Sequence, residues 1–107
     1  MRTCSPRELK EKLERADEFL LLDVRSDEEL ALARVDGCTH IPMPDLDDRM
    51  AELEIWKTKE IVVMCHHGIR SLMAQEYLES EGFRRVRNLT GGIDAYAVHG
   101  DPSVARY

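Results

Sequence analysis

"VVMCHHGIRS", residues 62–71, brings a β-branched run to a stop at a cysteine, follows it with two histidines and a glycine, and closes on Ile-Arg-Ser. Ile61 extends the run backwards to the charged pair Lys59-Glu60, so residues 61–64 predict an uncharged core strand. On the other side, Met73, Ala74, Tyr77 and Leu78 recur at helical spacing from near Ser71 until Gly82, a glycine where a C-terminal cap belongs. Cys65 therefore stands at the carboxyl end of a strand and just before a helix N-terminus. In parallel α/β sheets that is where ligands bind.

Two effects act on a thiol so placed. The unpaired backbone N–H groups of the loop and first helical turn, with the positive end of the helix dipole, favour a thiolate over a thiol. Arg70 adds a charge that is never lost. Together they predict a Cys65 pKa below the ordinary value and a nucleophile at neutral pH. Gly68 suits a loop that curls its amides inward, and His66 and His67 add donors or, when protonated, charge. A cysteine after an apolar run is by itself only a small buried hydrophobe. The conjunction of strand end, glycine loop, arginine and helix start makes Cys65 the candidate catalytic residue. His66, His67, Gly68, Ile69, Arg70 and Ser71 are then the candidate substrate-binding residues.

Other ligand chemistry is weaker. Cys38, His40, Cys65, His66 and His67 are all possible zinc ligands, yet adjacent side chains such as 65 to 67 converge poorly on one tetrahedral ion and no Cys-x-x-Cys spacing exists. No metal and no cofactor are expected. Cys4, read as near a frayed terminus, and Cys38, in a short strand, are assigned structural roles.

Outward from the loop, the chain alternates strand and helix signals. Ser5-Pro6-Arg7-Glu8 is a capping box with proline at the first helical position, opening a helix over 6–15. Residues 19–24 are apolar up to Asp23 and suit a strand covered on both faces, after which Ser26 and Glu29 form a second capping box for a short helix to about Ala33. Residues 38–41 are a short strand ended by Pro42 and Pro44, and Leu46, Met50 and Leu53 follow at helical spacing. Residues 86–89 are a last short strand, Gly91-Gly92 a turn, and 93–98 a short helix. Such alternation predicts an α/β fold, a parallel sheet with helices on both faces.

Length and charge bound the function. The 107 residues suffice for one domain, 1–107, and the 43% hydrophobic, 34% charged composition is that of a globular protein. The longest strongly apolar stretch is Phe19 to Leu22, and "MRTCSPRELK" has no apolar signal region, so no membrane and a cytoplasmic location are expected. Residues 1–53 carry 8 basic and 14 acidic side chains and residues 54–107 carry 7 of each, giving the net charge of −6 and arguing against a nucleic-acid partner. The balanced half holds Arg70, Arg84, Arg85 and Arg87, where a small anion can be received. Three cysteines without close spacing are not a disulfide framework and point to a reducing compartment.

The chain resembles the rhodanese family of sulfurtransferases over nearly its whole length. The markers are "LLDVR" at 21–25, Glu29, "VDGCTHIP" at 35–42, "CHHGIRS" at 65–71 and "LTGGIDAY" at 89–96, and it looks most like the single-domain bacterial members. It departs at Ala33-Arg34-Val35, where many members have Gly-His-Ile. The resemblance implies a three-layer rhodanese-like fold with a five-stranded parallel sheet in the order 3-2-4-5-1. It implies that Cys65 takes the outer sulfur of a donor such as thiosulfate, becomes a persulfide and passes the sulfur to cyanide or a thiol. Loop amides would hold the anionic sulfur, Arg70 would orient the donor's sulfonate, and Asp23 and Arg25 would be an ion pair at the neighbouring strand end. Two rivals differ in class. Protein phosphatases and some arsenate reductases resemble one another in placing five residues between Cys and Arg, which fits a tetrahedral phosphate, whereas here there are four. A sulfur-relay or binding module with a protein acceptor is the other.

Overall fold

The computed structural model describes residues 2–107. Its elements run β1 (Thr3–Cys4), α1 (Pro6–Glu14), β2 (Leu20–Asp23), α2 (Asp27–Leu32), β3 (Thr39–His40), β4 (Glu60–Met64), α3 (Ile69–Ser80), β5 (Arg85–Leu89) and α4 (Gly92–His99). Between β3 and β4 the chain forms two 3-10 helices, Met43–Asp45 and Asp47–Trp56. All strand pairs are parallel, in the order β1-β5-β4-β2-β3, the order the family resemblance implies. β4 lies at the centre with all five residues buried, as the uncharged, β-branched run Ile61 to Met64 requires of a strand covered on both faces, while Glu60 at its start is paired with Arg87.

The alternation of side chains along β4 divides the core. Ile61, Val63 and Cys65 face a cluster completed by Leu22, Val24, Leu53, Ala74 and Leu78 on the α3 side. Val62 and Met64 face the opposite cluster with Cys4, Leu9, Ile93 and Tyr96 under α1 and α4. A strand of period two thus decides that Cys65 meets the beginning of α3 rather than α1.

Local signals set the element ends. Ser5 and Ser26 make reciprocal capping boxes with Glu8 and Glu29. At the end of α3, Phe83 donates to the Leu78 carbonyl at 3.0 Å and Gly82 to Glu79 at 3.1 Å, with Gly82 at φ +93, which only glycine adopts without strain. Two expectations need correction. Cys4 is not on a frayed end: it forms β1 beside β5 and is fully buried, a two-residue strand too short for any periodicity. Arg85 and Arg87 do not gather with Arg70. They lie in β5, with Arg85 in register with Glu60 at the start of β4, and both pair with Glu60, at the opposite end of the sheet from Cys65.

Candidate active site

Cys65 is one residue past β4 and is 1% exposed. The loop that follows is shaped by what its carbonyls bond. The first turn of α4 donates to it, Ile93 N–H to the Cys65 carbonyl at 2.9 Å and Asp94 N–H to that of His66 at 3.2 Å, while Asn88 Nδ2 donates to the Gly68 carbonyl at 3.0 Å. With those carbonyls turned outward, loop amides turn inward, and Gly68 N–H donates to Cys65 Sγ at 3.0 Å. Gly68 sits at φ +105 as the residue before α3, which starts at Ile69, two residues earlier than the apolar stripe indicates.

Burial pushes the Cys65 thiol up, but the Ser71 hydroxyl and the backbone N–H groups of Ser71, Gly68 and His67 favour the thiolate and outweigh it, so the pKa lies below the ordinary value. Ser71 Oγ stands 3.2 Å from Sγ and also donates to Asn88 Oδ1 at 2.5 Å. A hydroxyl has one proton. Beside a neutral thiol it points at Asn88 and accepts from the S–H; beside a thiolate it must turn to the sulfur. Asn88, which holds both Ser71 and the Gly68 carbonyl, went unnoticed in the sequence because an asparagine in a strand carries no local signal.

Arg70 is committed elsewhere. Its Nη1 and Nη2 donate to the two oxygens of Glu29 at 2.5 and 2.8 Å, a bidentate pair reaching from α3 to α2. This partner holds the Glu29 carboxyl far below the usual carboxylate range and raises the guanidinium further. Arg70 also lines a shallow cavity of about 430 Å³ with Val24, Ser26, Asp27, Glu28, Met43 and Asp45. Asp23 and Arg25 form the expected ion pair at 2.7 Å with both side chains fully buried; Arg25 also donates to the Ala33 carbonyl at 2.7 Å. Tyr107, outside every motif, donates to Glu29 at 2.6 Å and accepts from Arg25 at 3.1 Å.

His66 and His67 stack at 3.9 Å, and with Asp94 they bring ligand atoms within 4.8 Å of one another, closer convergence than adjacent histidines led us to expect. Asp94, however, already accepts from Arg106 at 2.9 and 3.2 Å, and Cys65 is no member of the group. His67 is exposed and Ile69 is 74% exposed.

The sequence profile of the rhodanese-like domain matches residues 5–99. The chain is 42% identical over 88 residues to a putative sulfurtransferase, YtwF, of Bacillus subtilis, covering 82% of each chain. It is 38% identical over 97 residues to a sulfurtransferase of Allochromatium vinosum, covering 91% of this chain and 89% of that one. Among solved structures, a rhodanese-related protein of Thermoplasma volcanium superposes with a TM-score of 0.83 at 29% identity over the full length of both chains. The human single-domain sulfurtransferase gives 0.79 at 27% identity, over 92% of this chain and 97% of that one. The profile match over most of the chain, with relatives of nearly its own length, agrees with the sheet order and with a thiol set among loop amides: this chain belongs to the rhodanese-like domain family of sulfurtransferases.

Proposed function

We propose that Cys65 carries sulfane sulfur from thiosulfate, or a related donor, to cyanide or a small thiol. The observation that carries this reading is the sulfur's surroundings: a buried Sγ with the Gly68 amide at 3.0 Å and the Ser71 hydroxyl at 3.2 Å. The Cys65 thiolate attacks the outer sulfur of thiosulfate, a new S–S bond forms, the S–SO₃ bond breaks, and sulfite leaves with the electron pair. The enzyme-bound persulfide is anionic, so the inward amides that favour the thiolate favour it as well. Attack of cyanide on the outer sulfur releases thiocyanate and returns the thiolate. Arg70, through N–H groups not given to Glu29, orients the sulfonate. The residues between Cys65 and Arg70 furnish the amide hole and its rim: His66, His67, Gly68 and Ile69. Three free cysteines support a reducing, cytoplasmic setting.

Intact mass spectrometry after incubation with thiosulfate tests the reading. A gain of one sulfur atom on Cys65 is expected, absent in Cys65→Ser and kept in Cys4→Ser and Cys38→Ser. A wild type that gains no sulfur, or a Cys65→Ser protein with full thiocyanate formation, overturns it.

A protein acceptor is the second reading, and one observation favours it. Ile69, Leu72 and Met73, on the first turns of α3 next to the loop, are exposed apolar side chains. A relative from Bacillus subtilis, 36% identical over 84 residues and covering 78% of this chain, is described as a putative sulfur carrier protein.

A further inference from the structure

Tyr107 lies beyond the residues that the family profile matches, yet it touches the site twice. Its ring stacks on His66 with centroids 3.8 Å apart and planes 11° from parallel. The buried Nε2 of His66 has no hydrogen-bond partner among the described residues, so the ring of that loop residue is held by stacking between Tyr107 and His67. Its hydroxyl links two charged groups, accepting from Arg25 at 3.1 Å and donating to Glu29 Oε2 at 2.6 Å. That is the same oxygen that receives Arg70 Nη2. Glu29 Oε1 is fixed separately by the Ser26 cap, at 3.3 Å from the backbone N–H and 3.2 Å from the hydroxyl.

The approach of Tyr107 is built. Ser103 folds back onto Asp101 through its N–H at 3.0 Å and its hydroxyl at 2.7 Å, Val104 packs against the α1–α4 core cluster, and Arg106 forks onto Asp94 beside His67. Residues 101–107 thus carry the phenol to one side of the Cys65 loop.

We infer that Tyr107 is a positioning residue for the anionic sulfur donor: its hydroxyl fixes the plane of the Glu29 carboxylate, and that plane in turn aims the Arg70 guanidinium. The inference rests on the sulfur-transfer reading above. Without the phenol, Oε1 still holds the Ser26 cap and Arg70 Nη1 while Oε2 keeps only Arg70 Nη2, so the carboxylate and its fork can swing about Oε1, which spreads the directions of the Arg70 N–H groups left for a sulfonate. The ring acts separately, by seating His66 and with it the loop backbone that surrounds the sulfur.

The two roles separate by substitution. Tyr107→Phe keeps the stack and removes the hydroxyl; a KM for thiosulfate raised by about three- to tenfold is expected, the net worth of one ordinary hydrogen bond, since the effect reaches the donor only through Glu29 and Arg70, with kcat within twofold of wild type. Alkylation of Cys65 by neutral iodoacetamide should keep its wild-type pH profile in this variant, because Ser71 and the loop amides are untouched. Tyr107→Leu removes the ring as well, and should lower kcat and shift that alkylation profile. A wild type that gains no sulfur from thiosulfate overturns the sulfur-transfer reading and this inference with it. A wild type that does, beside a Tyr107→Phe protein with unchanged KM, or with kcat and KM displaced together with the melting temperature, overturns the positioning role alone.

Discussion

The Cys65 sulfur is tuned by neutral donors more than by a cation. Arg70 spends two of its donors on Glu29, so what offsets burial is the Ser71 hydroxyl and three backbone amides. Ser71→Ala should therefore raise the alkylation midpoint of Cys65 by about one pH unit, the loss of one hydrogen bond to a charged sulfur. Iodoacetamide kinetics against pH, with the modified residue identified, measure it. The wild-type inflection should fall below the free-thiol value of about 8.5; a midpoint indifferent to Ser71 would show that the amides suffice. At this scale the sequence disclosed the place of Cys65 between β4 and α3 and the loop that surrounds its sulfur, because a cysteine between an apolar run and Gly-Ile-Arg-Ser is a local pattern. It did not disclose Asn88 or Tyr107, which reach the site through distant side-chain bonds.

Among the elements, α4 matters as much as α3, since the N–H groups of its second and third residues, Ile93 and Asp94, hold the Cys65 and His66 carbonyls outward. Gly92 makes the approach possible. A Cβ there would overlap the carbonyl oxygens of Cys65 and His66, and its φ of +65 is costly for any other residue. Gly92→Ala should cost about 2 kcal/mol or more in unfolding free energy and should slow Cys65 alkylation at pH 7, readable by urea denaturation and by thiol kinetics on the same sample. Retained stability with retained reactivity would mean that α4 can withdraw without disturbing the loop. Gly91-Gly92 read only as a turn in the sequence, because a dipeptide reports its own backbone freedom and not which segment packs on it. The capping boxes at Ser5 and Ser26, by contrast, were legible to the residue, since donor and acceptor lie three positions apart.

On the scale of the whole molecule, acid should be the condition that undoes the fold. Glu29, Glu8, Asp94 and Asp101 all sit below their ordinary carboxylate values: Glu29 through Arg70, Glu8 through Arg87, Asp94 through Arg106 and Asp101 through Ser103. A carboxylate depressed in the folded state adds stability that is complete above its unfolded pKa, about 4, and is lost as pH falls through the folded value. Thermal or urea unfolding from pH 7 to pH 2 should therefore show wild type more stable than Glu29→Gln at neutral pH, with the gap closing in acid; a constant gap would mean that Glu29 acts by shape and not by charge. The sheet order was readable only through family resemblance, because alternating strands and helices specify a parallel sheet without ordering it. The hole around the sulfur is walled chiefly by main chain, and peptide groups are common to all residue types. His67 and Ile69, which face outward, can therefore be exchanged while the amides around Sγ stay as they are, so under the proposed sulfur transfer chemistry and clientele are free to evolve apart.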